Sequence, residues 1–315
     1  MFYFLSPYHN PALHLAFEEY LLKNTREEYC LLYVNSPCII IGKHQIPARE
    51  ANLLFSRSHN ISVYRRLSGG GAVYHDEGNL NFSFIVNADD GKQVNFRKYA
   101  GPVVDFLNSS GAGVSFNERN DITARGKKIS GNAEHVTANR VLHHGTLLIS
   151  SGLDILGRSL HSSPSRFKSK AVGSIRSVVT NLSDVFPGLP DISELSGLLI
   201  SHLQKQTENL AEFIPGEEVL MAAHKICREK YEADEWTYGY SPEYDYELKA
   251  SDNVFGLELK MNVDRGMIRK IHCHGGNNTD VNQITCTLLK GCLHKPAAIE
   301  DQLSDACKNS GVRPF

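Results

Sequence analysis

The run Arg65-Arg66-Leu67-Ser68-Gly69-Gly70-Gly71-Ala72-Val73-Tyr74-His75-Asp76 sets two guanidinium groups and three consecutive glycines beside a His-Asp pair. Bare backbone N–H groups in such a run can come close to an anion, as they do in phosphate-binding loops. Arg66, next to them, suits bidentate contact with a phosphate. Three glycines alone mark only a flexible hairpin turn; the arginines before them and His75-Asp76 after them favour a ligand loop. The run contains neither a Gly-x-x-x-x-Gly-Lys-Ser/Thr phosphate loop nor a dinucleotide fingerprint.

A second segment joins Asn120-Asp121-Ile122 to Gly126-Lys127-Lys128-Ile129-Ser130-Gly131-Asn132. Successive side chains on a strand point to opposite faces, so only one of the two lysines can enter a pocket. Lys128 is that lysine and Lys127 is solvated. The compact ammonium of Lys128 suits a carboxylate and a phosphate at once, and Asp121 offers oxygen to Mg²⁺. The same alternation makes His143 and His144 a poor chelating pair, and His144 is expected to line the pocket. Lys170-Ala171-Val172-Gly173-Ser174-Ile175-Arg176-Ser177, running on to Thr180-Asn181-Leu182, has the composition of a lid over a nucleotide. The cluster His272, Cys273, His274, Cys286, Cys292 and His294 matches no standard zinc spacing.

These segments need a scaffold. Asn10-Pro11 starts a helix through Leu21. Strands are predicted at Tyr29 to Val34, Cys38 to Ile41, Ile61 to Tyr64, Asn79 to Val86, Val114 to Arg125 and Lys128 to Ile149. The polar–apolar alternation that opens Asn79 to Val86 is the pattern of a half-buried strand. Helices are predicted at Ala48 to Phe55, Phe96 to Leu107, Leu153 to Leu160, Ile192 to Gln206 and Gly216 to Tyr231. His161 to Lys170, rich in Ser, Arg and Lys, reads as a long mobile loop. Trp236 to Tyr246 reads as an aromatic linker packed on the main domain. Strands at Val254 to Val263 and Met267 to His272 and two further helices follow. Helices and strands mix without βαβ alternation, which gives an α+β class with a largely antiparallel sheet.

The chain has 315 residues, is 41% hydrophobic and carries a formal charge of -2. A core can be buried, and a dedicated nucleic-acid binder is disfavoured. No apolar run approaches the roughly 18 residues of a membrane helix. The N-terminus lacks the features of a signal peptide and reads as a first strand, so a cytoplasmic protein, or the mature form of an imported one, is expected. Seven cysteines, an odd number, favour free thiols.

Taken together, Arg-Arg-Leu-Ser-Gly-Gly-Gly-Ala-Val-Tyr-His-Asp, the Asn-Asp pair, Lys-Lys-Ile-Ser-Gly, His-His-Gly-Thr-Leu-Leu and Ser-x-x-Ser-x-Val-x-Asn-Leu resemble the lipoate–protein ligase A family, in its order and over essentially the whole chain. The resemblance implies a biotin/lipoate ligase-like catalytic domain plus a small α+β C-terminal domain: residues 1–238 and 245–315, joined by a linker at 239–244. It implies activation of lipoate by ATP with Mg²⁺ to lipoyl-AMP, then transfer to a lysine. No tightly bound prosthetic group is implied. The expected acceptors are lipoyl domains of 2-oxoacid dehydrogenase complexes and the glycine cleavage H protein, served by a monomer. By resemblance Arg66, Gly71, Ala72, Val73 and Tyr74 contact the nucleotide, with Asp121, Lys128 and Ser174. Ser68, Gly69, Gly70, Lys128, Gly131 and His144 surround the lipoyl group, whose slot is expected to be lined by Val73, Leu142 or Leu147. Asn132 stands where small residues are common in the family, which would trim the slot.

Octanoyltransferases share the fold class but need a cysteine nucleophile in the pocket. Here none lies between Cys38 and Cys227. The glycine–arginine signature of biotin ligases is absent. Two other readings stay open: a lipoyltransferase working from preformed lipoyl-AMP, and a non-catalytic lipoate or nucleotide binder.

Overall fold

The Asn10 side chain accepts the Leu13 backbone N–H, and Pro11 occupies a position whose N–H would go unused; together they start α1 (Pro11–Asn24). Leu13, Phe17 and Leu21 bury into one apolar cluster. His14, Glu18 and Glu19 of the same helix are also buried. A helix that carries charge inward needs partners waiting for it, and the strands below supply them.

In this computed structural model, residues 1–88, 94–160, 164–249, 258–274 and His294 are described. The strands are β1 (Phe2–Leu5), β2 (Tyr29–Val34), β3 (Cys38–Ile41), β4 (Ser62–Arg65), β5 (Val73–His75), β6 (Asn79–Asn87), β7 (Val114–Phe116) and β8 (Ile122–Ala124). They continue with β9 (Lys127–Ser130), β10 (Asn132–Val136), β11 (Arg140–Leu148), β12 (Phe167–Ser169), β13 (Ala211–Glu212), β14 (Tyr244–Leu248), β15 (Glu258–Asp264) and β16 (Met267–His274). The helices after α1 are α2 (Pro47–Glu50), α3 (Leu53–Ser58), α4 (Phe96–Ser109), α5 (Leu153–Ser159), α6 (Leu182–Val185), α7 (Ile192–Gln206), α8 (Glu217–Ile226) and α9 (Asp234–Thr237).

A six-stranded sheet in the order β10-β11-β6-β2-β1-β13 forms the backbone of the fold. Its long pairs, β10 with β11, β11 with β6 and β6 with β2, are antiparallel. Two three-stranded sheets, β4-β3-β5 and β7-β8-β9, and a four-stranded sheet, β12-β14-β15-β16, complete the strands. The architecture is α+β with antiparallel pairing dominant, as expected.

Several local expectations change; the strand expected from Val114 to Arg125, for one, is two, β7 and β8, which pair antiparallel across the turn at 117–121. The strand β6 is buried along its length up to Val86, not half-buried. Leu80, Phe82 and Phe84 enter the cluster that includes Val103 and Leu107 of α4 and Leu199 of α7. The alternate residues Asn81 and Ser83 face inward too, donating to the Tyr33 carbonyl and the Glu18 carboxylate. The polar positions therefore mark an internal network and not a wet face. Within the expected loop at 161–170, a 3₁₀ turn and β12 occupy Pro164–Ser169, and residues 161–163 lie outside the described ones. Phe167 anchors this stretch: its ring lies 4.9 Å from that of Tyr246 and 5.7 Å from that of Tyr244. The strand expected from Lys128 to Ile149 is three strands, broken at Gly131 and at the turn before Arg140. The strand start at Val254, the two final helices, Cys286, Cys292 and Cys307 lie outside the described residues.

Candidate active site

Alternation along β9 turns Lys127 to solvent and Lys128 inward. The Lys128 Nζ sits 2.8 Å from Asp121 Oδ1. Asp121 is fixed in turn, since Asn117 takes its backbone N–H at 2.9 Å and donates to Oδ2 at 3.2 Å. Gly131 makes room for the lysine: a Cβ there would stand 3.2 Å from Lys128 Cε and Nζ, tighter than nearly all real contacts. The backbone of Lys128 is pinned as well, its N–H donating to the Val178 carbonyl at 2.9 Å and its carbonyl accepting from Thr180 at 3.0 Å.

Two cavities meet at this lysine. The first, about 290 Å³, runs past Gly70, Gly71, Val73, Ala133 and His144 to Leu15, Tyr33 and Ile40. The second, about 350 Å³, is walled by Tyr74, Leu148, Leu156 and Leu160. Both are lined by Ala72, Val73, Lys128, Gly131 and Ser174. Val73, expected in the lining of the acyl slot, is on the wall the two cavities share. Leu147, by contrast, belongs to the cluster on the other face of β11, and Leu142 packs in the cluster that holds α1. Asn132 does line the first cavity. Ser68 and Gly69 are not in the lining of either cavity.

Arg66 explains where those two residues went. Its guanidinium donates to Ser68 Oγ at 2.9 Å, the Ile40 carbonyl at 3.1 Å, the Gly69 carbonyl at 2.5 Å and the Gly71 carbonyl at 2.8 Å. Within one trans peptide the C=O and the next N–H point opposite ways. Drawing the Gly71 carbonyl onto Arg66 therefore turns the Ala72 N–H away from it, where it meets Ser174 Oγ at 2.9 Å. Burial lowers the Arg66 pKa to about 10, with the Glu18 charge partly offsetting the shift, so the guanidinium stays charged at neutral pH.

Behind Ser68 runs a buried polar chain. Ser68 Oγ lies 2.6 Å from His144 Nε2, and His144 Nδ1 lies 3.1 Å from Glu18 Oε2. Burial opposes the charge of Glu18, but His144, Ser83 and Tyr33 outweigh it and hold the carboxyl below its usual range. A second chain links His14 Nδ1 to Asn35 at 2.6 Å and Asn35 to His75 Nδ1 at 2.9 Å. His143 is on the opposite side of β11, bound to Glu134 at 2.9 Å. His144, expected to line the pocket, is in the lining of the first cavity, and His143 is not.

Sequence reasoning missed Glu18, Asn35, Gln45 and Glu50, all buried and all supporting the cleft. For Glu18 a signal existed: it falls one turn after His14, amid the apolar positions of α1. Among the described residues, no group of three or more His, Cys, Asp or Glu is placed to hold a metal. Nor is any described helix long and apolar enough to cross a membrane.

Two cavities joined at a lysine–carboxylate pair, with a braced glycine loop along their shared wall, make a cleft with room for two ligands side by side. The lipoyl protein ligase A/B catalytic domain matches residues 10–204, and the chain belongs to that family. It is 38% identical to lipoate–protein ligase 1 of Staphylococcus aureus over 94% of this chain and 91% of that one. The crystal structure of a lipoate–protein ligase A bound with ATP covers 75% of this chain and 98% of its own at a TM-score of 0.65 and 27% identity. Protein Ta0514 of T. acidophilum, with bound lipoic acid, covers 74% of this chain and 95% of its own at 0.63 and 28% identity.

Proposed function

We propose that this protein is an ATP-dependent lipoate–protein ligase. It joins lipoate to ATP as lipoyl-AMP with release of pyrophosphate, then transfers the lipoyl group to a lysine of a lipoyl-acceptor domain. The observation that carries this reading is the position of Lys128 where the two cavities meet. Carboxylate attack on an α-phosphorus brings two anions together; an ammonium between them offsets the repulsion and stabilises the charge that develops.

In this reading the remaining roles are as follows. The first cavity takes the acyl chain, with His144 and Tyr33 on its wall, and the second takes the nucleotide. Gly71, Ala72 and Val73 offer backbone to the phosphates. Arg66 acts on them through the loop it braces and through its retained charge. Ser68 and Gly69 act from behind the wall, Ser68 by orienting His144. Mg²⁺ keeps most of its waters and takes one or two carboxylates plus substrate phosphates. Asp121, on the wall of the first cavity beside Lys128, fits the protein's share and would hold the ion where the two cavities meet, which would neutralise phosphate charge. Aminolysis of the adenylate needs no enzyme nucleophile, so holding the acceptor amine close is most of that step. No cysteine lines either cavity among the described residues, which disfavours a thioester route. The acceptors are lipoyl domains of 2-oxoacid dehydrogenases and the glycine cleavage H protein, modified in the cytoplasm by a monomeric enzyme.

Pyrophosphate release with ATP and lipoate tests this directly. Release that depends on lipoate is expected. Transfer from supplied lipoyl-AMP without such release would make the protein a lipoyltransferase; neither activity would leave only a binder.

A further inference from the structure

Three side chains of the stretch after β3, outside the glycine loop and its lysine, converge on the segment that roofs both cavities. Glu50, at the end of α2 and only 6% exposed, accepts the Ser174 backbone N–H at 3.0 Å and its hydroxyl at 2.5 Å. The same hydroxyl oxygen accepts from the Gln45 side-chain amide at 3.1 Å and from the Ala72 N–H at 2.9 Å. Gln45 is held in place because its own side-chain oxygen takes the Gly42 N–H at 2.8 Å. Arg49 donates to the Ala171 carbonyl at 3.1 Å. One proton and two lone pairs are all a serine hydroxyl has, and at Ser174 every one of them is engaged.

Between Ala171, which packs against the cluster of Ile39, Tyr74 and Tyr246, and the Val178 carbonyl, which Lys128 holds, the segment has little else to hold it. Val172, Ile175 and Val178 are 53%, 69% and 72% exposed, so their burial contributes little. A roof anchored by one small apolar side chain at its edge stays shut only if polar bonds hold the rest. The geometry points to Glu50 as a positioning residue for the reaction: it latches Ser174 down so that the 171–177 roof is closed before the nucleotide arrives. ATP then binds a preformed cleft and does not bear the entropy of ordering the segment. This inference rests on the ligase reading for its kinetic consequence; the latch is judged separately, by exchange in the protein without ligand.

The test pairs hydrogen exchange without ligand and steady-state kinetics of pyrophosphate release. Glu50→Ala should speed exchange at 171–177 and leave the six-stranded sheet protected. It should raise KM for ATP about tenfold, the effect of losing a charged hydrogen bond, with kcat nearly unchanged. Glu50→Gln, which keeps the shape and one acceptor, should fall between wild type and Glu50→Ala, and it decides the matter if Glu50→Ala does not fold. Adding Ser174→Ala to Glu50→Ala should worsen KM by less than the two single effects combined, because the hydroxyl–carboxylate bond is lost in both. Unchanged exchange at 171–177 in the folded variants overturns the latch. So does a loss of kcat at constant KM, or a fall in KM, which would mean that Ser174 competes with phosphate for the Ala72 N–H. Failure of the wild type to release pyrophosphate would sink the ligase reading alone, since the exchange arm still judges the latch.

Discussion

Lys128 and Lys127 differ by one position on one strand, and only Lys128 reaches Asp121 and the two cavities. Removing the charge between two reacting anions should cost on the order of 10²–10³ in the activation step, as the loss of a charge-stabilising donor does elsewhere. Lys128→Ala is thus expected to lose pyrophosphate release while circular dichroism stays native, and Lys127→Ala to stay near wild type. Near-normal release from Lys128→Ala would remove it from the chemistry. The cysteines give the converse expectation. Burial raises the Cys30 and Cys227 pKa values to about 12 and pushes Cys38 well up too, so these thiols are poor nucleophiles. Replacing all seven should lower stability at buried sites but leave acyl transfer intact; a thioester trapped by mass spectrometry would refute that. At this scale the sequence was most readable where the chemistry is contiguous. The glycine run, Asp121 and Lys128 stand in short motifs whose residue types announce anion binding. Arg66 stood in such a motif as well, but its use as a brace depends on which carbonyls the folded loop brings to it. Glu18 and Glu50 carry no local mark beyond a charge near apolar neighbours, and their partners lie far along the chain.

Elements were harder to read where both faces of a strand are covered. The strand β6 alternates as a surface strand would, yet α1 closes over its polar side and the alternation serves Glu18 and Tyr33. Periodicity reports a difference between two faces, not what covers them. Arg65 shows how distant elements are tied. Fully buried, it donates to the carbonyls of Gly42, Lys43 and Gln45 before α2, to those of Trp236 and Thr237 in α9, and to Ser241 Oγ. Trp236 returns the contact, its indole N–H donating to the Arg65 carbonyl at 2.7 Å. Each buried carbonyl left without a donor costs roughly 1–3 kcal/mol. Arg65→Met should therefore destabilise the protein by more than about 3 kcal/mol, read as a lower urea midpoint. Arg65→Lys, with three donors in place of a five-donor fork, should recover only part of that. Equal midpoints for Arg65→Met and wild type would mean that the carbonyls find other donors and the tie is dispensable.

At the scale of the whole molecule, the linker expected at 239–244 lies between two paired strands. The strand β12 precedes it and pairs with β14, which follows it. One apolar cluster takes Ile39, Ile41 and Tyr74 from before the linker and Tyr246, Leu259, Met261 and Val263 from after it. The C-terminal strands are therefore part of the first region's packing, and a chain ending before Tyr244 should expose that cluster. We expect it to bind a hydrophobic dye and melt early, and to lose activation from ATP more than transfer from supplied lipoyl-AMP. A truncated chain with wild-type melting would show the cluster to be dispensable. Acid should loosen the molecule at several points at once, because buried histidines sit in different clusters. Burial lowers His14 to about 4, His75 to about 3 and His294 to about 3 from an ordinary 6.5. At His14 the Asn35 hydrogen bond and the Glu18 charge partly oppose the shift; at His75 the Arg66 charge adds to it. These are bases whose folded pKa lies below the unfolded value. Below 6.5 the unfolded chain takes up protons that the native chain refuses, so acid favours unfolding. Their stability is intact above about 6.5 and is lost as pH falls towards 4 for His14 and 3 for the other two. Each withdraws up to about 1.4 kcal/mol per pH unit across its window. The free energy of unfolding from urea titrations should consequently fall steeply between pH 6.5 and 4.5, before most carboxylates titrate. His75→Gln, neutral throughout, should lower the slope by about one proton. A flat stability profile from pH 7 to 5 would show that these rings are protonated in the native protein and that the buried chain through Asn35 is wired otherwise.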